Sequence, residues 1–330
     1  MKTTNKRDLC LDLLRIISIT MIVFMHSPQP GSAPGFVLSG LSYLTAPGLV
    51  LFFMISGALL LGNSLSTKEF LRRRLSKVVF PTLFWTFFYL AYTTVSSHGF
   101  DTKEMLINVL SIPFSAQGHG VLWFMYTLVG LYLLTPILSK WLKKASKQDV
   151  EFYLLLWTIT LVYPYLKLML KINESESGIL YYFTGYAGYF LLGYYLYHYY
   201  RFKVWHIVAA IAVYVIIPAV LYGGHFEFDF YSMLWYLSLP VASMASVWFV
   251  LINKLPKFQN MALAKASKLS FGIYFVHVFI LREVLWHVDM ICELSGITQI
   301  LVLSFSTLAI SYFVSWLISK LPFSKYIIGV

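Results

Sequence analysis

Three side chains within one apolar run could do chemistry, and the rest of the chain must place them. The stretch Leu11 to Ser27 reads LDLLRIISITMIVFMHS and holds Asp12, Arg15 and His26. At ~100° per residue, the eleven residues from Arg15 to His26 turn through about 1100°, which leaves the two within ~20° of one helical face. Asp12 falls about 40° to the other side of His26, so all three point one way. A rise of ~1.5 Å per residue sets Arg15 and His26 about 16 Å apart along the axis. An arginine beside an aspartate can orient an anion, and an imidazole that titrates near neutral pH can take a proton. Ionisable groups kept in an apolar helix usually face a bundle interior or a wet cavity. Two readings stand at this point. Either Asp12 and Arg15 form an interfacial ion pair above a hydrogen-bonded core histidine, or the three make a catalytic face.

The elements that must position this face are written in the composition. The 330 residues are 59% hydrophobic and 18% aromatic, with only 12% charged and a mean hydropathy of +0.72. A soluble domain carries roughly 25% charged residues, so the chain reads as an all-α, polytopic integral membrane protein. Hydrophobic spans fall near 10–28, 40–62, 79–97, 120–139, 149–168, 178–200, 204–222, 230–252, 269–288 and 297–319. Each approaches the ~20 residues that cross a bilayer, which predicts about ten transmembrane helices in a single domain over 1–330. Asp12 and Arg15 interrupt the apolar core that a cleaved signal peptide would need, so the first span is expected to be retained.

The basic residues give an independent orientation. Twenty of the 25 fall in segments 1–9, 63–78, 140–148, 201–203, 254–268 and 320–330, all on one side of a ten-span chain. By the positive-inside rule that side is cytoplasmic, and both termini with it. Only Lys103, Lys167, Lys171 and Arg282 fall in the outer half. The net charge of +11 is thus explained by topology and calls for no nucleic acid. Cys10 and Cys292 are placed on opposite sides of the membrane, beyond the ~7 Å reach of a disulfide.

Further candidates lie along the other spans. Ser56 and Gly57, in Phe-Phe-Met-Ile-Ser-Gly, either permit close helix packing or line a substrate path. In the basic segment Arg72-Arg73-Arg74-Leu75-Ser76-Lys77, Arg74 and Lys77 are spaced i, i+3 and could grip phosphate oxygens; the plain reading is a topology signal. Trp123 and Tyr126 open the fourth span, and Tyr274 and His277 sit in Ser-Phe-Gly-Ile-Tyr-Phe-Val-His of the ninth. His98, His119, His225, Glu227 and Asp229 read as solvated loop residues, and no metal-ligand spacing such as HxxxH or HExxH is present.

Taken in order, these elements resemble the acyltransferase-3 family of bacterial membrane acyltransferases, the branch that O-acetylates glycans included. The resemblance rests on Arg15 and His26 with ten residues between them, preceded by Leu-Asp-Leu-Leu. It continues through the Phe-Phe-Met-Ile-Ser-Gly stretch, the basic segment ending in Pro81 and Trp85, the Trp123-Phe124 pair and the Ser270–His277 motif. The family's second basic motif is Arg-x-x-Arg; here it reads Arg74-Leu75-Ser76-Lys77, and lysine keeps the charge without the planar fork. Some relatives carry a C-terminal extracytoplasmic domain, and Val330 is expected to be too early for one.

The resemblance implies transfer of an acyl group, usually acetyl, from acetyl-CoA in the cytoplasm to a hydroxyl of a surface glycan or lipid-linked sugar. No metal is implied. Arg73, Arg74 and Lys77 would receive the anionic donor, Arg15 held by Asp12 would orient it, and His26 would act as base or carry the acyl group transiently. Ser56, Trp123, Tyr126, Tyr274 and His277 would line the path. A secondary transporter of a small anion is the alternative, although no paired interrupted spans mark one.

Overall fold

The structure is a computed structural model that describes residues 8–63, 65–96, 102–111, 120–172, 178–201, 203–256 and 260–330. Lys2, Lys6, Arg7, His98, His119 and Lys257 lie outside the described residues. Among the described residues all regular structure is helical. The first helix, α1 (Leu9–His26), starts where Asp8 caps it by accepting the Cys10 amide at 3.0 Å. Two helices, α2 (Gly35–Thr45) and α3 (Pro47–Leu60), follow with Pro47 at their junction. After the basic segment come α4 (Ser76–Ser96), α5 (Trp123–Leu142) and α6 (Lys147–Leu170). The chain continues with α7 (Ala187–His198), α8 (Val204–Gly223) and α9 (Leu239–Asn253). It closes with α10 (Met261–Lys268), α11 (Ser270–Phe279), α12 (Gly296–Ile318) and the short α13 (Ser324–Ile327).

Each of the ten predicted spans contains a helix, but not all are long enough to cross. Seven continuous apolar helices are, with α2 and α3 counted as one, and α10 with α11 supplies an eighth as a pair bent by 52°. Among the described residues, length and composition thus qualify seven or eight of the about ten expected spans. The two shortfalls are α7, with 12 residues, and α9, with 15. Both have a backbone cause. Gly185 takes φ +93 after a single 3-10 turn at Tyr181–Phe183, so helix cannot extend back from Ala187. Pro240 sits in the first turn of α9, where proline is tolerated only at a start.

Two helices organise the interior. From Pro47 to Ala58 every residue of α3 is buried, and α3 crosses α7 at glycines on both sides. A Cβ on Gly57 would lie 1.7 Å from the Phe190 carbonyl oxygen, and one on Gly193 2.0 Å from that of Met54. Close packing is thus the role of the Ser56-Gly57 step, as small residues at membrane helix crossings allow. Helix α1 touches α2, α3, α9, α10, α11 and α12, so its polar face meets most of the bundle.

The ends of the bundle are distinguished by their contacts. Tyr197 donates to Asp8 at 2.7 Å, and the Cys10 thiol faces the Leu255 carbonyl. The C-terminal residues return to the same basic end: Trp85 donates to the Ile327 carbonyl at 2.8 Å, and Gly329, at φ +76, presses on the Lys77 carbonyl. At the other end the Gln29 amide reaches Cys292 at 3.7 Å, so the two free cysteines sit at opposite ends.

Candidate functional site

At the basic end, Asp12 is buried and Arg15 half-buried, three residues apart on α1. Asp12 Oδ1 accepts a hydrogen bond from Ser267 Oγ at 2.7 Å and from Arg15 Nη1 at 3.4 Å. Ser267 belongs to α10, so the carboxylate ties two helices and aims the guanidinium. Across from it, the buried Tyr132 of α5 lies near Ser56 of α3. The cations of Arg15 and Arg74 both lie close enough to the Tyr132 hydroxyl to act on its charge. Residues far apart in chain order, Asp12 and Ser267 by 255 places and Arg15 and Arg74 by 59, thereby converge on one polar cluster.

The basic segment does not behave as one unit. Arg73 is engaged by Glu69 at 2.6 Å, whereas Arg74 turns toward Tyr132; Lys77 is exposed at the head of α4. Leu71–Leu75 forms a π turn, which adds a residue to the helical turn, so the i, i+3 spacing of Arg74 and Lys77 does not by itself guarantee a shared face.

At the far end of α1 the arrangement is different in kind. His26 stacks on His277 of α11, with ring centroids 5.3 Å apart and planes 18° from parallel. His277 is fully buried, and its Nδ1 lies 2.6 Å from the Tyr274 carbonyl oxygen. A carbonyl can only accept, so Nδ1 carries the proton and Nε2 presents a lone pair. Nε2 is buried without a hydrogen-bond partner, an arrangement that costs about 1–3 kcal/mol where nothing fills it. His26 is only partly buried and is the more exposed member of the pair. His277 is thus packed and hydrogen-bonded through Nδ1, with an open Nε2 and a stack on His26.

Aromatic side chains connect this pair to the interior. Tyr274 lies between Phe124 (5.2 Å) and His277 (5.7 Å). Trp123 sits between Tyr186 and Tyr236 at 5.4 and 5.5 Å, and the Tyr236 hydroxyl donates to Met25 Sδ, next to His26. Tyr126 is farther out and shares a short hydrogen bond with Thr86 of α4. Of the loop residues, Asp229 is taken up by local structure: the Ser232 hydroxyl and amide hold its carboxyl below the usual carboxylate range. Among the described residues no three histidine, cysteine or acidic side chains are grouped to hold a metal ion.

Sequence reasoning did not select Tyr132, Ser267 or Tyr236. Ser267 and Tyr236 have no local signal, since each acts on a helix more than 200 residues away. Tyr132 was detectable only as a polar tip in the middle of a span. A family model described as an acyltransferase domain matches residues 8–316, which takes in both polar clusters. No curated protein and no solved structure matches the chain.

Proposed function

The chain belongs to the acyltransferase-3 family, and on that premise we propose that it transfers acetyl from acetyl-CoA to a hydroxyl of a cell-surface glycan or lipid-linked sugar. It is a multi-pass membrane acyltransferase; the donor, the acyl group, the acceptor and placement in a bacterial cytoplasmic membrane are the proposal. One observation carries it: a stacked histidine pair with an open imidazole nitrogen lies at one end of α1, and a polar, cationic cluster lies at the other.

The residues suit an anionic thioester at the basic end. Arg74 and Lys77 would hold phosphate oxygens, and Arg15, aimed by Asp12 and Ser267, would reach inward with Tyr132 and Ser56 beside it. The donor supplies an activated acyl carbon. At the other end His26 accepts the proton of the acceptor hydroxyl, whose oxygen bonds the acyl carbon as the carbon–sulfur bond breaks; the proton passes to the departing thiolate. His277 stays neutral behind His26, its Nδ1 fixed on the Tyr274 carbonyl and its Nε2 ready to accept a hydrogen bond. The basic end would face the cytoplasm, where acyl-CoA is found.

The test is purified protein in liposomes given acetyl-CoA and a glycolipid extract of the source envelope. Thiol release coupled to acetyl incorporation supports the reading. Solute flux without thiol release overturns it.

A further inference from the structure

Arg282 occupies the second π turn of the described chain, Ile280–Val284, five residues beyond His277. In an uninterrupted α-helix five residues turn ~500°, which would put Arg282 about 140° from the His277 face. The π turn adds a residue to the winding and swings Arg282 back toward that face. Its position five residues past His277, just before a Trp286 that bonds to Ser27 next to His26, keeps it near both rings. The guanidinium rests over the Trp286 ring, 5.7 Å from the centroid. Trp286 is itself fixed: its indole donates to the Ser27 carbonyl at 3.4 Å, and its own carbonyl accepts from Gln29 at 3.2 Å. Gln299 then locks Gln29 from α12 at 3.0 Å. Arg282 is thus held beside the histidine pair by a polar frame that includes the end of α1.

No carboxylate answers this cation. The neighbouring Glu283 is taken by the Tyr92 hydroxyl, and among the described residues Arg282 makes no ion pair. Its planar donor fork faces outward, exposed, with one side covered by indole. A stacked guanidinium with free donors matches phosphate and carboxylate oxygens better than a neutral sugar. Resting on the transferase reading above, we propose that Arg282, seated on Trp286, is an acceptor-side subsite for an anionic group carried by the sugar acceptor. The subsite would orient the acceptor so that its free hydroxyl meets His26.

The experiment uses the full chain in liposomes with radiolabelled acetyl-CoA. The acceptor is a glycolipid extract of the source envelope, divided by anion exchange into anionic and neutral fractions. Label should enter the anionic fraction. Arg282→Gln should raise the apparent KM for that fraction tenfold or more, leaving the acetyl-CoA KM and acceptor-free thiol release unchanged. Arg282→Lys, which keeps the charge and loses the fork, should fall between the two. Chemical reduction of carboxyl groups in the fraction separates the sources: lost labelling identifies a uronate, and retained labelling a phosphate. Label confined to neutral glycolipids, or an unaltered acceptor KM in Arg282→Gln, overturns the subsite and leaves Arg282 facing lipid headgroups. Absence of label and of thiol release with the unaltered protein overturns the transferase reading itself, and the subsite with it.

Discussion

The two ends of α1 solve opposite problems. Around Asp12 and Arg15 the charges are answered: Ser267 donates to Asp12, and Arg15 pairs with Asp12. Around His26 and His277 the groups are stacked rings with one cation, Arg282, nearby, and the buried Nε2 of His277 has no hydrogen-bond partner. A buried charge persists only if paired, whereas a buried imidazole can stay neutral and wait. The difference teaches where each substrate belongs. On the proposed transferase reading, charge gathers where the anionic donor is held, and imidazole is kept where the acceptor gives up its proton.

The largest effect should come from removing the proposed base. His26→Ala should lower transfer by roughly 10²–10⁴-fold, with expression and thermal stability retained. His26→Gln keeps a polar tip that cannot titrate, so it should fail equally. An active His26→Gln enzyme, assayed by acetyl incorporation, would refute the base assignment and shift it to His277. The basic end should respond in binding instead of rate. Arg74→Ala with Lys77→Ala removes two charge-assisted contacts, each worth roughly 1.5–3 kcal/mol. The apparent KM for acetyl-CoA should climb by about 100-fold while the acceptor KM stays put; a steady donor KM would reduce the basic segment to a topology signal.

Ser267→Ala is the finer probe. It takes one hydrogen bond from the buried Asp12 carboxylate, and Arg15 loses its aim without losing its charge. A donor KM raised by about tenfold, with kcat within a factor of a few, is expected. A drop in kcat alone would mean that this end also takes part in the chemistry. Orientation gives a yes-or-no check with no rate change. Cysteines at Ser66 and Ser146 should resist impermeant thiol reagents in intact cells, while the native, exposed Cys292 labels. Labelling at Ser66 or Ser146 would reverse the polarity of the comparison.

Much of the inner end was legible in the sequence. Asp12 and Arg15 are i, i+3 neighbours, and the helical period alone puts them with His26 on one side. The close-packing role of Gly57 followed from a small residue inside an apolar helix, although its counterpart Gly193 did not. What hydropathy could not read was backbone. The 178–200 and 230–252 runs are apolar throughout, yet Gly185 and Pro240 decide where helix can begin. Nor could it read pairings across the fold. His26 and His277 are 251 residues apart in the chain, and only the parallel run of α1 beside α10 and α11 makes them stack.

Those two short helices have an electrical consequence. At ~1.5 Å per residue α7 is about 18 Å long and α9 about 22 Å, against ~30 Å for the hydrocarbon slab. Both pack on α3 in the interior, so the insulating septum there is thinner than the bilayer around it. The membrane voltage is the same across either, which makes the field along α7 roughly 1.7 times steeper. The work of moving a unit charge the whole way is unaltered at about 2.3 kcal/mol per 100 mV, but each ångström of that path carries a larger share of it. A charge displaced a few ångströms along α7 would feel that steeper field.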